Sequence, residues 1–369
     1  MKNVHTKQHL SFHSFSLPFS PFYSLLLIFM ILVSCEKENT SGNTPTPQSK
    51  VNALVLNEGN WGSNNSTLTA IDITDGSLVA NDWFSACNGR GLGDVAQDML
   101  LYGSKVYVTV TFSNSLEVID TASGLARRVE LAGMRPRNIA AANGKLYVSC
   151  YNPRSVVRID TATLNVEATC SLGDYQPEGL AVCDGKLFVT SSFIQDGQDY
   201  RYDDKIYVID LATFANPQTV TVGANPQDIM VIADGKVIVN YWGDYGSHPA
   251  GTAIIDATTL DVNPTGQALS RLAVYNRKAY GYVTEYDADW NQTVSYKTID
   301  ANGNVGNFPF SVSISENPYG ITVNPANGDI YVLTDGNYSA NGSLYCYTTE
   351  GSLKFTLEAG LLPKKVVFF

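Results

Sequence analysis

The sequence predicts an all-β protein, a seven-bladed β-propeller with four antiparallel strands in each blade. One unit recurs with a period of about 40–50 residues, the spacing of stacked units such as propeller blades. Short runs rich in Val, Ile, Tyr and Thr alternate with turns of Gly, Asn, Asp and Pro, which is typical of antiparallel strands. The C-terminal segment has the pattern of a blade's first strand, which the N-terminal unit lacks. These observations together predict a ring that the two chain ends close.

Each unit repeats the same order of elements. In most units a proline precedes the first strand, where its missing N–H costs the ladder nothing. A Gly-Lys-type turn then leads to an apolar second strand, at 105–108, 145–148, 186–189, 236–239 and 329–332. A variable loop follows, and the third strand ends in Ile-Asp, with the aspartate at Asp72, Asp120, Asp160, Asp210, Asp256 and Asp300.

The first unit has three predicted strands, at 51–56, 67–73 and 77–84, and lacks an innermost one. We expect residues 363–369 to supply it, because a proline and an apolar run match the other first strands there. Pairing the chain ends protects two strand edges that would otherwise be open. The predicted count is seven blades rather than six or eight, and the sixth unit, from Leu269, is the most degenerate.

The first 34 residues predict a secretory leader. Their apolar stretch, residues 25–33, is far shorter than the ~20 residues of a membrane-spanning helix and matches the apolar region of a signal peptide. It ends in Leu-Val-Ser-Cys, which resembles a bacterial lipobox. We therefore predict a lipoprotein signal peptide at 1–34 and lipidation of Cys35; an ordinary signal with a coincidental cysteine is the alternative.

Residues 35–50 predict a flexible tether between the lipid anchor and the propeller at 51–369. The segment is polar, rich in Pro, Ser and Thr, and without apolar periodicity. Its acidic start at 36–38 resembles the export tag of surface lipoproteins. The expected location is therefore the outer membrane, where the protein is lipid-anchored and exposed at the cell surface.

The charge of the chain argues against nucleic acid as a partner. The sequence has 24 Lys and Arg and 35 Asp and Glu. Loss of the leader removes Lys2 and Lys7 and no acid, which leaves 22 cations against 35 anions, a net charge of −13. A nucleic-acid binder needs a basic surface, and anionic lipid headgroups are equally poor partners.

Every predicted loop between a second and a third strand carries an aromatic residue, and in a propeller these loops share one face. A single aromatic residue can pack on the base of its own loop, but seven coincidences are a weak explanation. Aromatic side chains give a large contact area at a low entropic cost, so we interpret this face as a ligand-binding surface. The residues predicted to bind the ligand are Asn60, Trp61, Asn64, Phe112, Tyr151, Tyr202, Trp242, Asp244, Tyr245, Trp290 and Tyr338.

The same loops carry many acids, which we interpret as solvated side chains on a negative surface. They are Glu58, Asp196, Asp199, Asp203, Asp204, Asp244, Asp287, Asp289 and Asp335. The pair Asp287 and Asp289 offers oxygen ligands of the kind that calcium prefers, but no loop has an EF-hand pattern. We therefore predict no metal and no cofactor, with a bound ligand as the one non-protein group.

The residues favour binding over catalysis. Of the four histidines, only His248 follows the leader, so the mature chain has no multi-histidine copper or iron centre. A serine triad would also depend on His248, and no G-x-S-x-G elbow precedes a helix. Carboxylate pairs leave a lactonase-like or sugar hydrolase open as a weaker hypothesis.

Five cysteines follow Cys35, at Cys87, Cys150, Cys170, Cys183 and Cys346. None has metal-ligand spacing such as C-x-x-C. Most lie in or beside apolar runs, which favours buried free thiols. One disulfide between Cys170 and Cys183 is the alternative for an oxidising compartment.

The mature chain resembles the YncE-like, surface-layer-type propeller lipoproteins. Two regions resemble the BtuG group in particular: 57–61, 65–68 and 92–99 at the first blades, and 319–325 with 327–332 at the last. The resemblance implies a surface lipoprotein that captures cobalamin or another corrinoid and passes it to an outer-membrane, TonB-dependent transporter. A protein- or glycan-binding adhesion module is the alternative, because loops decide what a propeller binds.

Overall fold

The computed structural model describes residues 50–369, except residues 198, 288, 290 and 291. The predicted signal peptide, Cys35 and the tether up to residue 49 lie outside the described residues. Within them, no helix is long and apolar enough to cross a membrane. The described chain forms seven antiparallel sheets of four strands, one of which has an additional strand.

The strands of the described residues are, in chain order, β1 (Ala53–Asn57), β2 (Thr67–Asp72), β3 (Ser77–Ala80), β4 (Ala96–Tyr102), β5 (Lys105–Val110), β6 (Ser115–Asp120), β7 (Ala126–Glu130), β8 (Pro136–Ala142), β9 (Lys145–Tyr151), β10 (Arg154–Asp160), β11 (Val166–Ser171), β12 (Tyr175–Cys183), β13 (Lys186–Asp196), β14 (Asp199–Tyr202), β15 (Lys205–Asp210), β16 (Gln218–Thr221), β17 (Pro226–Ala233), β18 (Lys236–Tyr241), β19 (Gly251–Asp256), β20 (Val262–Pro264), β21 (Arg271–Tyr275), β22 (Lys278–Tyr286), β23 (Gln292–Asp300), β24 (Val305–Asn307), β25 (Pro318–Val323), β26 (Ile330–Thr334), β27 (Asn341–Tyr347), β28 (Leu353–Leu361) and β29 (Pro363–Phe368). A short helix, α1 (Trp83–Asn88), and a 3-10 turn at Gly336–Tyr338 complete the elements.

The sheets are the blades of a propeller. Blades two to seven use strands that follow one another in the chain, whereas blade one has the order β29-β1-β2-β3. The innermost strands are β29, β4, β8, β12, β17, β21 and β25, and each contacts the next around the axis. The predicted fold class, the count of seven blades and the closure by the C-terminal strand are therefore confirmed.

Apolar side chains pack between the blades. The described residues form seven apolar clusters, one at each junction of neighbouring blades. Leu146 and Val148 of β9 pack with Tyr107 and Leu116 of blade two, while Tyr147, between them, packs toward blade four. The apolar second strands of the repeat thus fill both faces of a sheet that is buried on both sides.

The Ile-Asp pairs shape the turns between third and fourth strands. At Asp120, Asp160, Asp210 and Asp256, one carboxylate oxygen accepts hydrogen bonds from the backbone N–H groups two and three residues later, at 2.7–3.2 Å. These are Asx turns. Their backbone donors hold the pKa of Asp120, Asp210 and Asp256 below the ordinary value.

Two predicted elements differ from the structure. The strand expected at 77–84 ends at Ala80, because Asp82 accepts a hydrogen bond from the backbone of Ser85 (3.1 Å) and caps α1. The insertion of blade four is a β-hairpin and not a loop. Strand β13 continues to Asp196 and pairs with β14 on the way back.

Candidate ligand-binding face

One face of the propeller collects the connections between the second and third strands of all blades. Every exposed aromatic side chain of the described residues lies in one of these connections or in the strand end beside it: Trp61, Phe112, Tyr200, Tyr245, Tyr286 and Tyr338. The expected aromatic face is therefore present, and we call it the loop face. Whether its residues bind a ligand remains a prediction.

At the centre of the loop face, β-bulges re-aim polar side chains. The ladder between the first and second strands shifts register directly after Pro136, Pro177 and Pro226. A residue at a bulge leaves the regular alternation and can turn away from the ladder. The polar residues at or near the start of the innermost strands are Gln97, Arg137, Glu178, Asp228, Arg271, Tyr319 and Lys364.

On the side of blades two to four, these groups satisfy one another. Arg137 Nη1 donates to Gln97 Oε1 at 2.6 Å, and Nη2 and Nε lie 3.3 and 3.4 Å from Glu178 Oε2. Glu178 also accepts from the hydroxyl groups of Tyr151 and Ser192. The guanidinium lies over the Tyr151 ring, 4.5 Å from its centroid. We call this group the closed side.

Glu58 of the first loop contacts Tyr319 and Lys364 at the centre of the loop face. Its Oε2 accepts from Tyr319 Oη at 2.8 Å and lies 3.1 Å from Lys364 Nζ. Burial alone raises the pKa of Glu58, but Lys364, Tyr319 and Arg137 together hold that pKa below its ordinary value. Burial lowers the pKa of Lys364. The interpretation of Glu58 as a solvated acid is wrong, because its side chain is only 15% exposed and its carboxylate is paired with Lys364.

On the side of blades five to seven, the loop face opens into a cavity of about 330 Å³. Its walls include six aromatic residues, which are Trp242, Tyr245, Tyr282, Tyr286, Tyr319 and Tyr338. Three of these were predicted site residues, and the structure brings them together. We call this region the open side.

Arg271 is the cation among the described residues that line the open side. Its guanidinium lies over the Trp242 ring, 4.9 Å from the centroid, and its Nη1 lies 3.2 Å from Asp228 Oδ1. Trp242 Nε1 donates to the backbone oxygen of Ser270 at 3.1 Å, which fixes the ring. The cavity thus presents a flat, stacked pair of an indole and a guanidinium.

Trp61 and Phe112 form a second aromatic patch, outside the cavity. Their ring centroids are 5.9 Å apart, and the guanidinium of Arg135 lies 5.6 Å from the Phe112 centroid. Trp61 is 76% exposed. The backbone N–H of Gly62 donates to the carboxylate of Asp94 at 3.0 and 3.1 Å, so the loop that presents the indole is fixed.

Asn60 and Asn64 have local structural roles besides the predicted one. Asn60 Nδ2 donates to the backbone oxygen of Tyr338 at 3.3 Å and so connects the loops of the first and last blades. Asn64 adopts a left-handed conformation, with φ of 51°, which asparagine tolerates better than most residues.

Asp244 fixes its own loop. It accepts hydrogen bonds from the backbone of Gly246 (2.9 Å) and His248 (2.8 Å), and its Oδ2 lies 2.6 Å from His248 Nδ1. The His248 side chain, followed by these backbone donors, holds the pKa of Asp244 well below its usual range. The loop presents Tyr245, which is 77% exposed and 6.1 Å from the Tyr202 ring.

The remaining predictions concern two acids, Trp290 and a metal site. Asp203 and Asp335 are buried, so the interpretation of these two as solvated is wrong. Trp290 lies outside the described residues. Asp289 donates its backbone N–H to Asp287 (2.9 Å), and within the described residues no three His, Cys, Asp or Glu side chains converge as metal ligands.

The five cysteines of the described chain are free thiols. Cys170 packs between blades three and four, and Cys183 packs between blades four and five. The alternative of a disulfide between these two residues is therefore wrong. Burial raises the pKa of the Cys150 thiol to about 12, as expected for an inert core cysteine.

The charged groups at the centre of the loop face were not predicted from the sequence. Arg137, Glu178 and Lys364 each follow the proline of a first strand directly. The charged residues at this position in three blades were the available signal. Arg271 lacks the proline and could be found only by aligning the sixth unit with the others.

Comparisons with known proteins agree on the architecture. No family model and no curated protein matches the chain. The match to a quinoprotein alcohol dehydrogenase-like protein from Bacteroides thetaiotaomicron covers 87% of this chain and 78% of the other, with a TM-score of 0.63 and 14% identity. The match to hydrazine synthase of Kuenenia stuttgartiensis covers 66% of this chain and 74% of the other, with a TM-score of 0.54 and 17% identity.

A third match is the Pan2 WD40 domain of Neurospora crassa, which covers 74% of this chain and 81% of its own, with a TM-score of 0.51 and 9% identity. At such identities the likeness shows the fold alone. The chain is thus a seven-bladed β-propeller protein, and its function must be argued from the loop face.

Proposed function

We propose that this propeller is a binding protein that captures a corrinoid on its loop face and performs no covalent chemistry. The observation that carries the proposal is the confinement of every exposed aromatic side chain of the described residues to that face. Large apolar side chains grouped on one face of a protein mark a site that a partner covers. Aromatic rings at the rim and in the cavity give contact area to a broad, flat ligand.

The charges of the loop face suit an uncharged ligand. The cations at its centre are each matched by a carboxylate: Arg137 by Glu178, Arg271 by Asp228 and Lys364 by Glu58. A corrinoid is a broad ring system with several neutral carboxamide arms, and it meets no uncompensated charge here. The resemblance of the first and last blades to the BtuG group supports the same ligand.

The size of the cavity indicates how such a ligand would lie. Pockets that enclose a drug-sized molecule measure about 300–1,000 Å³, and this cavity of about 330 Å³ is at the lower limit. A corrinoid is larger than most drugs, so it would lie across the loop face with one part inserted. Its contacts would then extend from the cavity toward Trp61.

The proposal includes the setting of the protein. A lipid on Cys35 and a polar tether at 35–50 would hold the propeller at the outer-membrane surface, free to present its ligand. An outer-membrane, TonB-dependent transporter would then receive the ligand.

Isothermal titration of cyanocobalamin into the chain from residue 36 onward tests the proposal. We expect binding at micromolar protein that Trp242→Ala weakens. Leu125→Ala is the matched control, because Leu125 is an exposed apolar residue in the turn between β6 and β7, away from the loop face. No heat and no change in the corrinoid absorption spectrum would exclude a corrinoid as the ligand.

A glycan is the second candidate ligand. Ser270, Thr284 and Gln292 line the cavity beside its aromatic walls, and this mixture of rings with hydroxyl and amide groups also suits a sugar ring. Signals on a glycan array that Trp242→Ala removes, together with no binding of cyanocobalamin, would favour this function.

A further inference from the structure

Two arginines occupy matching places at the centre of the loop face. Arg137 belongs to the first strand of blade three, and Arg271 belongs to the first strand of blade six. Each guanidinium lies over an aromatic ring, Tyr151 at 4.5 Å and Trp242 at 4.9 Å. The two blades therefore allow the same arrangement, an arginine stacked on an aromatic ring, to be compared in two different surroundings.

The two guanidinium groups differ in how many of their donors are used. Arg137 makes contacts to Gln97 and Glu178 through Nη1, Nη2 and Nε. Within the described part of the chain, Arg271 makes one side-chain hydrogen bond, from Nη1 to Asp228 at 3.2 Å. A guanidinium has five N–H donors. Arg271 therefore keeps donors for another acceptor, and it lines the cavity.

The surroundings of Arg271 favour a neutral acceptor. Asp228 already balances its charge, and Glu58 adds a second carboxylate that acts on the same guanidinium. Asp335, a buried acid, lines the cavity as well. The nearby cation, Lys364, is paired with Glu58. A carboxylate ligand would be repelled by these acids, whereas a carbonyl oxygen would accept the hydrogen bond without that repulsion.

We infer that the cavity of the open side is a subsite for a neutral carboxamide carried on a flat group. The carbonyl oxygen accepts from Arg271, and the flat group lies against Trp242 and the tyrosines of the walls. The inference rests on the proposed function, since it assigns one carboxamide-bearing part of that ligand to a place. It also stands on its own for any ligand with this chemistry.

Nicotinamide and nicotinate are the probes, because they share one planar ring and differ in carboxamide against carboxylate. Ligand-observed NMR titration of the full chain gives their dissociation constants. We expect nicotinamide to bind at least about tenfold more tightly than nicotinate, because the acids around Arg271 repel a carboxylate and do not repel an amide. Equal affinities, or tighter binding of nicotinate, overturn the inference.

Arg271→Lys is the diagnostic variant, because it keeps the charge opposite Asp228 and removes the planar donors. The affinity of this variant for nicotinamide should be about tenfold lower. Arg137→Gln is the matched control, since that side chain belongs to the closed side, and it should change the affinity less than threefold. Circular dichroism and thermal melting confirm that each variant is folded. The preference of the unchanged protein for the amide does not depend on any variant.

Cyanocobalamin separates the inference from the proposed function. If it binds the unchanged protein and Arg271→Lys equally, the subsite is overturned and the proposed function stands. If it does not bind while nicotinamide does so with the expected preference and the expected loss in Arg271→Lys, the subsite stands and the corrinoid is overturned. If it binds about tenfold more weakly to Arg271→Lys, both are supported.

Discussion

The closed side and the open side both contain an arginine stacked on an aromatic ring, but they differ in how completely the arginine is paired. In both, an arginine of an innermost strand stacks on an aromatic ring at or just after the end of a second strand. On the closed side, a glutamate and a glutamine accept the arginine's donors, and the guanidinium side chain is 18% exposed. On the open side a single aspartate does so, and the arginine is 26% exposed beside a cavity. In this propeller, the cavity lies where one blade leaves its charged group incompletely paired.

The open side coincides with the most degenerate repeat. Blade six begins its first strand without a proline, and its turn between first and second strands has Asn276 and Arg277 at positive φ, 46° and 59°. Other blades place glycine in that turn, as at Gly144 and Gly185, where a left-handed conformation is free of strain. The repeat therefore departs from its pattern in the blade that lines the cavity.

The largest expected difference between the two sides is in stability. Glu178→Ala removes the buried carboxylate that pairs with the largely buried Arg137, and it should lower the free energy of unfolding by about 3 kcal/mol. Asp228→Ala removes a partly exposed partner and should cost about 1 kcal/mol. Urea unfolding followed by tryptophan fluorescence measures both. Equal losses would show that the two ion pairs contribute equally to stability and that the closed and open sides do not differ in this respect.

Ligand binding should show the opposite order. Trp242→Ala removes a cavity wall and the ring under Arg271, and it should weaken the ligand by about 30-fold, which corresponds to about 2 kcal/mol. Tyr151→Phe, on the closed side, removes a hydroxyl bonded to Glu178 and should change affinity less than threefold. Titration calorimetry on folded variants measures both. A larger loss in Tyr151→Phe would place the ligand on the closed side.

Much of this fold follows from the sequence. The period, the Ile-Asp turns and the proline before the first strands predicted seven blades and the pairing of β29 with β1. The helix α1 was missed because a strand pattern continued through Trp83 and Phe84. Both side chains are buried, and burial alone does not tell a short helix from a strand end.

The site was predicted in part. The aromatic residues of the loop face could be predicted, because equivalent loops of all blades lie on the same face of a propeller. The ion pairs could not, since Arg137 and Glu178 lie 41 residues apart and meet only when neighbouring blades close around the axis. Glu58 was taken for a solvated acid for the same reason: its partner Lys364 comes from the other end of the chain.

The Trp61 patch tests how far the ligand extends beyond the open side. Trp61→Ala removes an exposed indole on a fixed loop and should weaken a corrinoid about fivefold, because partly solvated contacts contribute less than buried ones. The same variant should leave nicotinamide binding unchanged, since the fragment fits inside the cavity. A loss for both ligands would join the two aromatic patches into one site.

The smallest expected effect comes from a buried acid in blade four. Asp203 is 1% exposed, and burial raises the pKa of its carboxyl above the ordinary 3.8. A raised pKa means that the folded state holds the proton more tightly than the unfolded chain. The contribution of Asp203 to the free energy of unfolding is therefore largest below 3.8 and is lost as the pH rises through the raised pKa.

Asp203→Asn cannot ionise, so at neutral pH it should be more stable than the unchanged protein by about 1 kcal/mol. The difference should vanish when the pH falls below the ordinary value of 3.8. Thermal melting across this range measures the effect.

Asp204→Asn is the matched control, because the neighbouring Asp204 is partly exposed beside Lys205 and should change stability little at any pH. A stability gain that persists in acid would come from something other than the charge of Asp203. A gain confined to neutral pH would show that blade four, although part of the closed side, contains one acid whose burial the fold tolerates at a cost.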